Sequence, residues 1–210
     1  MPLTGFNGVI DISHHNNVTN WASIRNAGIA AVIHKATEGR SYRDNQYHTR
    51  KKRALDQGLL WGSYHFSSSA NPLLQVENYL EYAEPDATEL ICLDYEPSSS
   101  GSNMSYDQMV AFVELVHSAL GRYPVIYGGH LLRGATMHVG GPSVLSNCSL
   151  WYARYANNPI GVPQLWPTWT LWQYTDGNLG QEPHSVPGVG HCDRDTFNGT
   201  EAELRQRWPL

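Results

Sequence analysis

The chain has 210 residues, 41% of them hydrophobic and 16% charged, with 12 Tyr and 7 Trp, the composition of a folded globular protein and not of a disordered one. A formal net charge of −5 offers no basic stripe for nucleic acid, and no apolar run approaches the roughly 20 residues that cross a bilayer. Cys92, Cys148 and Cys192 lack CxxC spacing and the ten His residues lack an HExxH pattern, so neither a disulfide framework, a catalytic metal nor a cofactor is expected; a Cys148–Cys192 bridge is left open.

The first eight residues, Met1 to Gly8, contain no basic region followed by an apolar one, so no secretory leader is expected. Gly8 to Ile12 reads as a short apolar strand interrupted by Asp11, an acid that is costly there unless it reaches water or a partner. Thr19 or Asn20 caps a helix running through Trp21 and Ile24 to Gly28. Ile29 to Ala36 is a second buried strand, with polar Thr37 and Glu38 at its tip. Arg43 to Gln57 has helical spacing, and its basic run Arg50-Lys51-Lys52-Arg53 is expected to be a solvated face. Leu59 to Phe66 forms a third strand, and Leu73, Val76, Tyr79, Leu80 and Ala83 mark a helix between Pro72 and Pro85.

Leu90 to Leu93 is apolar throughout, as in a strand buried on both faces, and it runs into Asp94, Tyr95, Glu96 and Pro97. Strand alternation points Asp94 and Glu96 the same way. Paired acids repel, which raises the pKa of one and can divide them into a proton donor and an anion, the requirement of glycoside hydrolysis. Ser98 to Asn103 is then a loop at the site and not a domain joint, so residues 1–210 are expected to form one domain. Ser105 caps a helix ending at Gly121, and Tyr123 to Gly128 is a fifth strand. Beyond it, Leu150–Tyr155, Thr170–Tyr174 and roughly Val189–Asp193 look like strands without full helices between them, before a last helix from Glu201 to Trp208. Regular alternation predicts parallel strands with right-handed crossovers, and five strands with helices plus three without fit an α/β barrel with a thinned helical ring. Asp11, Asp94, Glu96 and Asp193 would all fall at C-terminal strand ends, where such barrels gather their catalytic groups.

Several segments in order, Asp11-Ile12-Ser13-His14, His34 to Gly39, Gly62-Ser63-Tyr64-His65-Phe66, Leu93-Asp94-Tyr95-Glu96, Pro124 to Tyr127, Trp151 to Tyr155, Trp172-Gln173-Tyr174 and Asp193 to Gly199, resemble the glycoside hydrolase family 25 lysozymes from about Gly8 to Gly199. The resemblance implies a flattened, TIM-like (β/α)5(β)3 barrel that cleaves the β-1,4 bond between N-acetylmuramic acid and N-acetylglucosamine in bacterial peptidoglycan. Glu96 matches the family's proton donor, Asp94 its companion, Asp11 the first-strand acid and Asp193 the acid near the C-terminus. Tyr64, Tyr127 and Gln173 match positions that line the cleft. Either an Asp nucleophile or the substrate's own acetamido oxygen could assist at the sugar carbon, and the second, with Asp94 assisting, is favoured. Asp11 and Asp193 would then set the field that keeps Glu96 protonated. His15, His34 and Asp195 depart from the family, which more often has an aromatic, an aliphatic and an Asn there. The competing readings are a non-catalytic wall-binding module and a barrel glycosidase acting on chitin, although Leu90 and Cys92 stand where a chitinase run would carry two more acids. The resemblance further suggests a monomer acting on the cell wall without nucleic-acid or membrane partners. It would leave a host cytoplasm through a holin as a phage endolysin does, or be secreted with its leader removed.

Overall fold

A computed structural model describes residues 3–98 and 101–210, so Ser99 and Ser100 of the expected loop lie outside the described residues. The elements are β1 (Phe6–Ile12), α1 (Trp21–Asn26), β2 (Ala31–Glu38), β3 (Tyr42–Arg43), α2 (Tyr47–Asp56), β4 (Leu60–Phe66), α3 (Pro72–Ala83), β5 (Leu90–Asp94), α4 (Tyr106–Leu120), β6 (Val125–Gly128) and α5 (His130–Thr136). After a 3₁₀ turn (Val144–Asn147) come β7 (Leu150–Ala153), β8 (Leu171–Thr175), β9 (Ser185–Val186), β10 (Gly190–His191), β11 (Asp193–Phe197) and α6 (Glu201–Arg207). Local chemistry sets the helix ends. Asn20 caps α1 through Ser23 N, Pro72 opens α3 behind the Asn71 cap, and Ser105 with Gln108 forms a capping box on α4, which Gly121 ends in the left-handed conformation.

Eight strands close a barrel in the order β1-β2-β4-β5-β6-β7-β8-β11 and back to β1. The first seven run parallel, each of the first five being followed by a helix, while β11 is antiparallel to both its neighbours. Each strand has two buried faces, which is why the apolar runs are continuous. Val9, Ile33, Leu90, Cys92, Val125, Trp151, Leu171 and Phe197 fill the interior, while Ile10, Val32, Trp61, Ile91, Leu93 and Ile126 face the helices. The interior is tight at Gly62, where a Cβ would lie 3.0 Å from Leu90 Cβ. Following the same alternation one step toward the C-terminal ends of the parallel strands, the interior positions become Asp11, Lys35, Tyr64, Asp94, Tyr127 and Gln173. The barrel is thus apolar below and polar at one mouth.

Three expectations change. The helix expected from Arg43 starts at Tyr47, because Tyr42 and Arg43 pair antiparallel with Glu38 and Thr37 as an edge strand. The strand expected at Val189–Asp193 is instead one arm of a small β9–β10 hairpin, turned by Gly188 and Gly190 at positive φ, and the barrel strand begins where that prediction ended, at Asp193. Arg50 is not solvated: it is 8% exposed, donating to Ser13 O and Asn16 O, each at 2.7 Å, and lying 3.2 Å from His34 Nε2. It braces the loop between β1 and α1, while Lys51 pairs with buried Glu89 at 2.7 Å and Lys52 with Asp56. Cys92, Cys148 and Cys192 are all buried and free.

Candidate active site

The carboxylate pair is delivered by the end of β5. Asp94 is its last residue and faces the interior; Tyr95 then turns outward, donating its N–H to Tyr127 O at 2.9 Å and its hydroxyl to Met104 O at 3.0 Å. Glu96 swings back over the mouth, so the alternation holds two residues past the strand. Gly128 admits this turn: a Cβ there would meet Leu132 Cβ at 2.7 Å and Tyr95 O at 3.0 Å.

A well of about 180 Å³ sits above the interior, and Asp11, Asp94, Glu96, Asp193, Tyr64, Tyr127 and Gln173 all line it. The seven residues singled out in the sequence therefore meet in one place. A hydrogen-bonded relay orders them. Tyr127 and Tyr155 both donate to Gln173 Oε1, at 2.7 and 2.9 Å, which turns the Gln173 amide so that Nε2 donates to Asp11 Oδ2 at 2.8 Å. Glu96 Oε1 lies only at the edge of hydrogen-bond range, 3.5 Å from the Tyr127 hydroxyl. The Asp94 carboxyl accepts no hydrogen bond among the described residues; its Oδ1 is enclosed and unpartnered, and the residue lines the well.

Asp193 reaches the well by a route that differs from the one expected. It opens β11 and does not end a parallel strand, but because β11 runs antiparallel its start lies at the same barrel mouth, opposite Asp11. Burial and the neighbouring Asp11 carboxyl push its pKa to about 9. Asp11 is raised well above the usual carboxylate range by burial and by Asp195, and Asp94 by burial and by Glu96. Glu96 is also raised, by burial, against the opposing effects of the Tyr127 hydroxyl, Lys35 and His130. Glu96 in turn raises Asp11 and Asp193, so the acids of the well act on one another as well as being desolvated. Asp94 is the more deeply buried of the pair.

The sequence reading assigned no site role to two charged groups, Lys35 and Asp195. Lys35, 2.6 Å from Glu38 and over the Phe66 ring at 4.6 Å, is the only Lys or Arg lining the well, and it favours the ionised forms of Asp94 and Glu96. It stands in register with Tyr64 on the neighbouring strand, and one strand period past interior Ile33 was the available signal. Asp195, fully buried, accepts from Trp151 Nε1 at 2.6 Å, and its carboxyl meets that of Asp11. Its place two residues after Asp193 puts it on the same interior face, and burial holds its pKa well above the ordinary value.

Comparisons with known proteins agree with this geometry. The model of the family described as glycosyl hydrolases family 25 matches residues 10–181. Lysozyme M1 of Streptomyces globisporus is 30% identical over 216 residues, covering 93% of this chain and 69% of that protein. The bacterial lysozyme of Streptomyces coelicolor superposes with a TM-score of 0.83 at 29% identity, covering 97% of each chain, and the family 25 lysozyme of Aspergillus fumigatus with 0.81 at 31% identity, covering 97% and 98%. A closed barrel, a carboxylate well at its mouth and a family match across most of its length together mean that the chain belongs to glycosyl hydrolases family 25, the lysozymes.

Proposed function

We propose that this glycoside hydrolase cleaves the β-1,4 bond between N-acetylmuramic acid and N-acetylglucosamine in bacterial peptidoglycan, with Glu96 as proton donor and Asp94 as partner of the substrate's acetamido group. The supporting observation is the Asp94–Glu96 pair itself: two acids on one face, desolvated together, one enclosed without a hydrogen-bond partner and the other only loosely held. An acetamido N–H directed at Asp94 stabilises its anion, releasing the proton that the pair retains to Glu96. Glu96 then protonates the leaving oxygen while the acetamido oxygen attacks the anomeric carbon. The C1–O bond breaks, a cyclic oxazolinium forms, and water activated by Glu96 opens it with net retention. The Tyr127–Gln173–Asp11 relay fixes the wall of the well on the side of β8 and β1.

On this reading residues 1–210 act as one catalytic domain and as a monomer. The cell wall is its place of action. Mass analysis of the fragments released from defined sacculi tests the assignment: new reducing ends on N-acetylmuramic acid are expected, and reducing N-acetylglucosamine, or chitin oligomers in preference to muropeptides, would overturn it.

A further inference from the structure

Beside the acidic well, and sharing Glu96 and Tyr155 with it, lies a second cavity of about 560 Å³. Its charge is the reverse of the well's. His130, Arg133 and Arg154 line it, and Glu96 at the shared wall is its only acid, in a chain of net charge −5. Both arginines are exposed, and neither guanidinium makes a hydrogen bond or ion pair with another described residue. Arg43, Arg50, Arg194 and Arg205, by contrast, all donate to protein acceptors. Their backbones are nevertheless fixed. Arg154 donates its N–H to Gln173 O at 3.0 Å and accepts from Trp172 Nε1 at 2.7 Å, and Arg133 lies on α5 with Nη1 against the Gly161 turn, which the Tyr152 hydroxyl ties down at 3.0 Å. Anchored stems with free planar forks are suited to carboxylates, which an arginine can engage through two parallel hydrogen bonds.

We propose that this cavity binds the carboxylates of the peptide stem that muramic acid carries, an inference that rests on the glycan-cleaving function above. The stem leaves the sugar through a lactyl ether, so a muramoyl residue at the well must lay its peptide outside it. The adjoining basic cavity is the complementary surface within reach, and the stem's acidic residue and free C-terminus supply the anions.

The test uses sacculi stripped of phosphodiester wall polymers, half of them further treated with an amidase that removes the stems. The wild type is expected to prefer stem-bearing strands in kcat/KM by about tenfold, the scale of one hydrogen-bonded charge pair. The Arg133→Gln/Arg154→Gln double variant should lose most of that ratio, and Lys at both positions should restore part of it. A wild type without preference, or a double variant that keeps it, would overturn the proposal. Calorimetric titration with a soluble muramoyl pentapeptide separates stem binding from cleavage: binding by the wild type that the double variant loses supports the cavity even if no reducing ends are released, and equal binding by both sinks it.

Discussion

Asp193 stands directly opposite Asp11 across β11 and β1, strands that run in opposite directions, so the first residue of one meets the sixth of the other at the same barrel mouth. Two carboxyls so placed and desolvated cannot both ionise cheaply. The consequence is a group that stays protonated far above the ordinary range, about 9 for Asp193.

That proton predicts how stability depends on pH. A carboxyl with a raised folded pKa binds more protons folded than unfolded, so its contribution to stability is present at low pH and is lost as pH rises from 3.8 toward about 9. His34 and His65, whose pKa values burial lowers to about 4, act oppositely, but their effect is complete above their ordinary 6.5. Between pH 7 and pH 9 the carboxyl and, toward pH 9, the buried cysteines whose thiols burial raises above 9.0 act in the same direction, and the melting temperature should fall. Asp193→Asn should flatten that fall and raise the melting temperature at pH 8 by about 3 °C, the shift produced by about 1 kcal/mol in a chain of this size. Parallel slopes for variant and wild type would contradict the assignment.

Glu96→Gln keeps the shape of the side chain and removes its proton chemistry. Release of reducing ends from sacculi should drop by about 10²–10⁴-fold, the range general acid catalysis supplies, with the thermal transition unchanged. Retention of even a tenth of the activity would remove Glu96 from the donor role.

Asp94→Asn tests acetamido assistance through coupling. Substrate de-N-acetylated at the muramoyl sugar should slow the wild type by about 100-fold or more but slow the variant much less, because each change removes the same interaction. Strictly multiplicative losses would mean that Asp94 and the acetamido group act independently.

At Asp195, Asn and Ala should behave differently. Asn retains an acceptor for Trp151 Nε1, now 2.6 Å from Oδ1, whereas Ala leaves that buried N–H unpaired at a cost of about 1–3 kcal/mol. Chemical denaturation of both variants should separate them by that amount, and equal midpoints would show that the Trp151 contact contributes little.

Much of this molecule is written in local chemistry. Caps such as Asn20, Asn71 and Ser105, and doubly buried runs such as Leu90 to Leu93, follow from neighbours within a few residues, and strand alternation then assigns Asp11, Asp94 and Gln173 to the interior without reference to the rest of the fold. Tertiary structure decided what depends on partners distant in sequence. The direction of β11 carries Asp193 to the well from its N-terminal end, because Asp193 pairs with Asp11, a residue far away along the chain. Arg50 became a brace because the β1–α1 loop offers two carbonyls at 2.7 Å, although its basic neighbours made it look like a solvated face. Periodicity places a side chain on a face; its protonation depends on burial and neighbouring charge, which exist only once the barrel has closed.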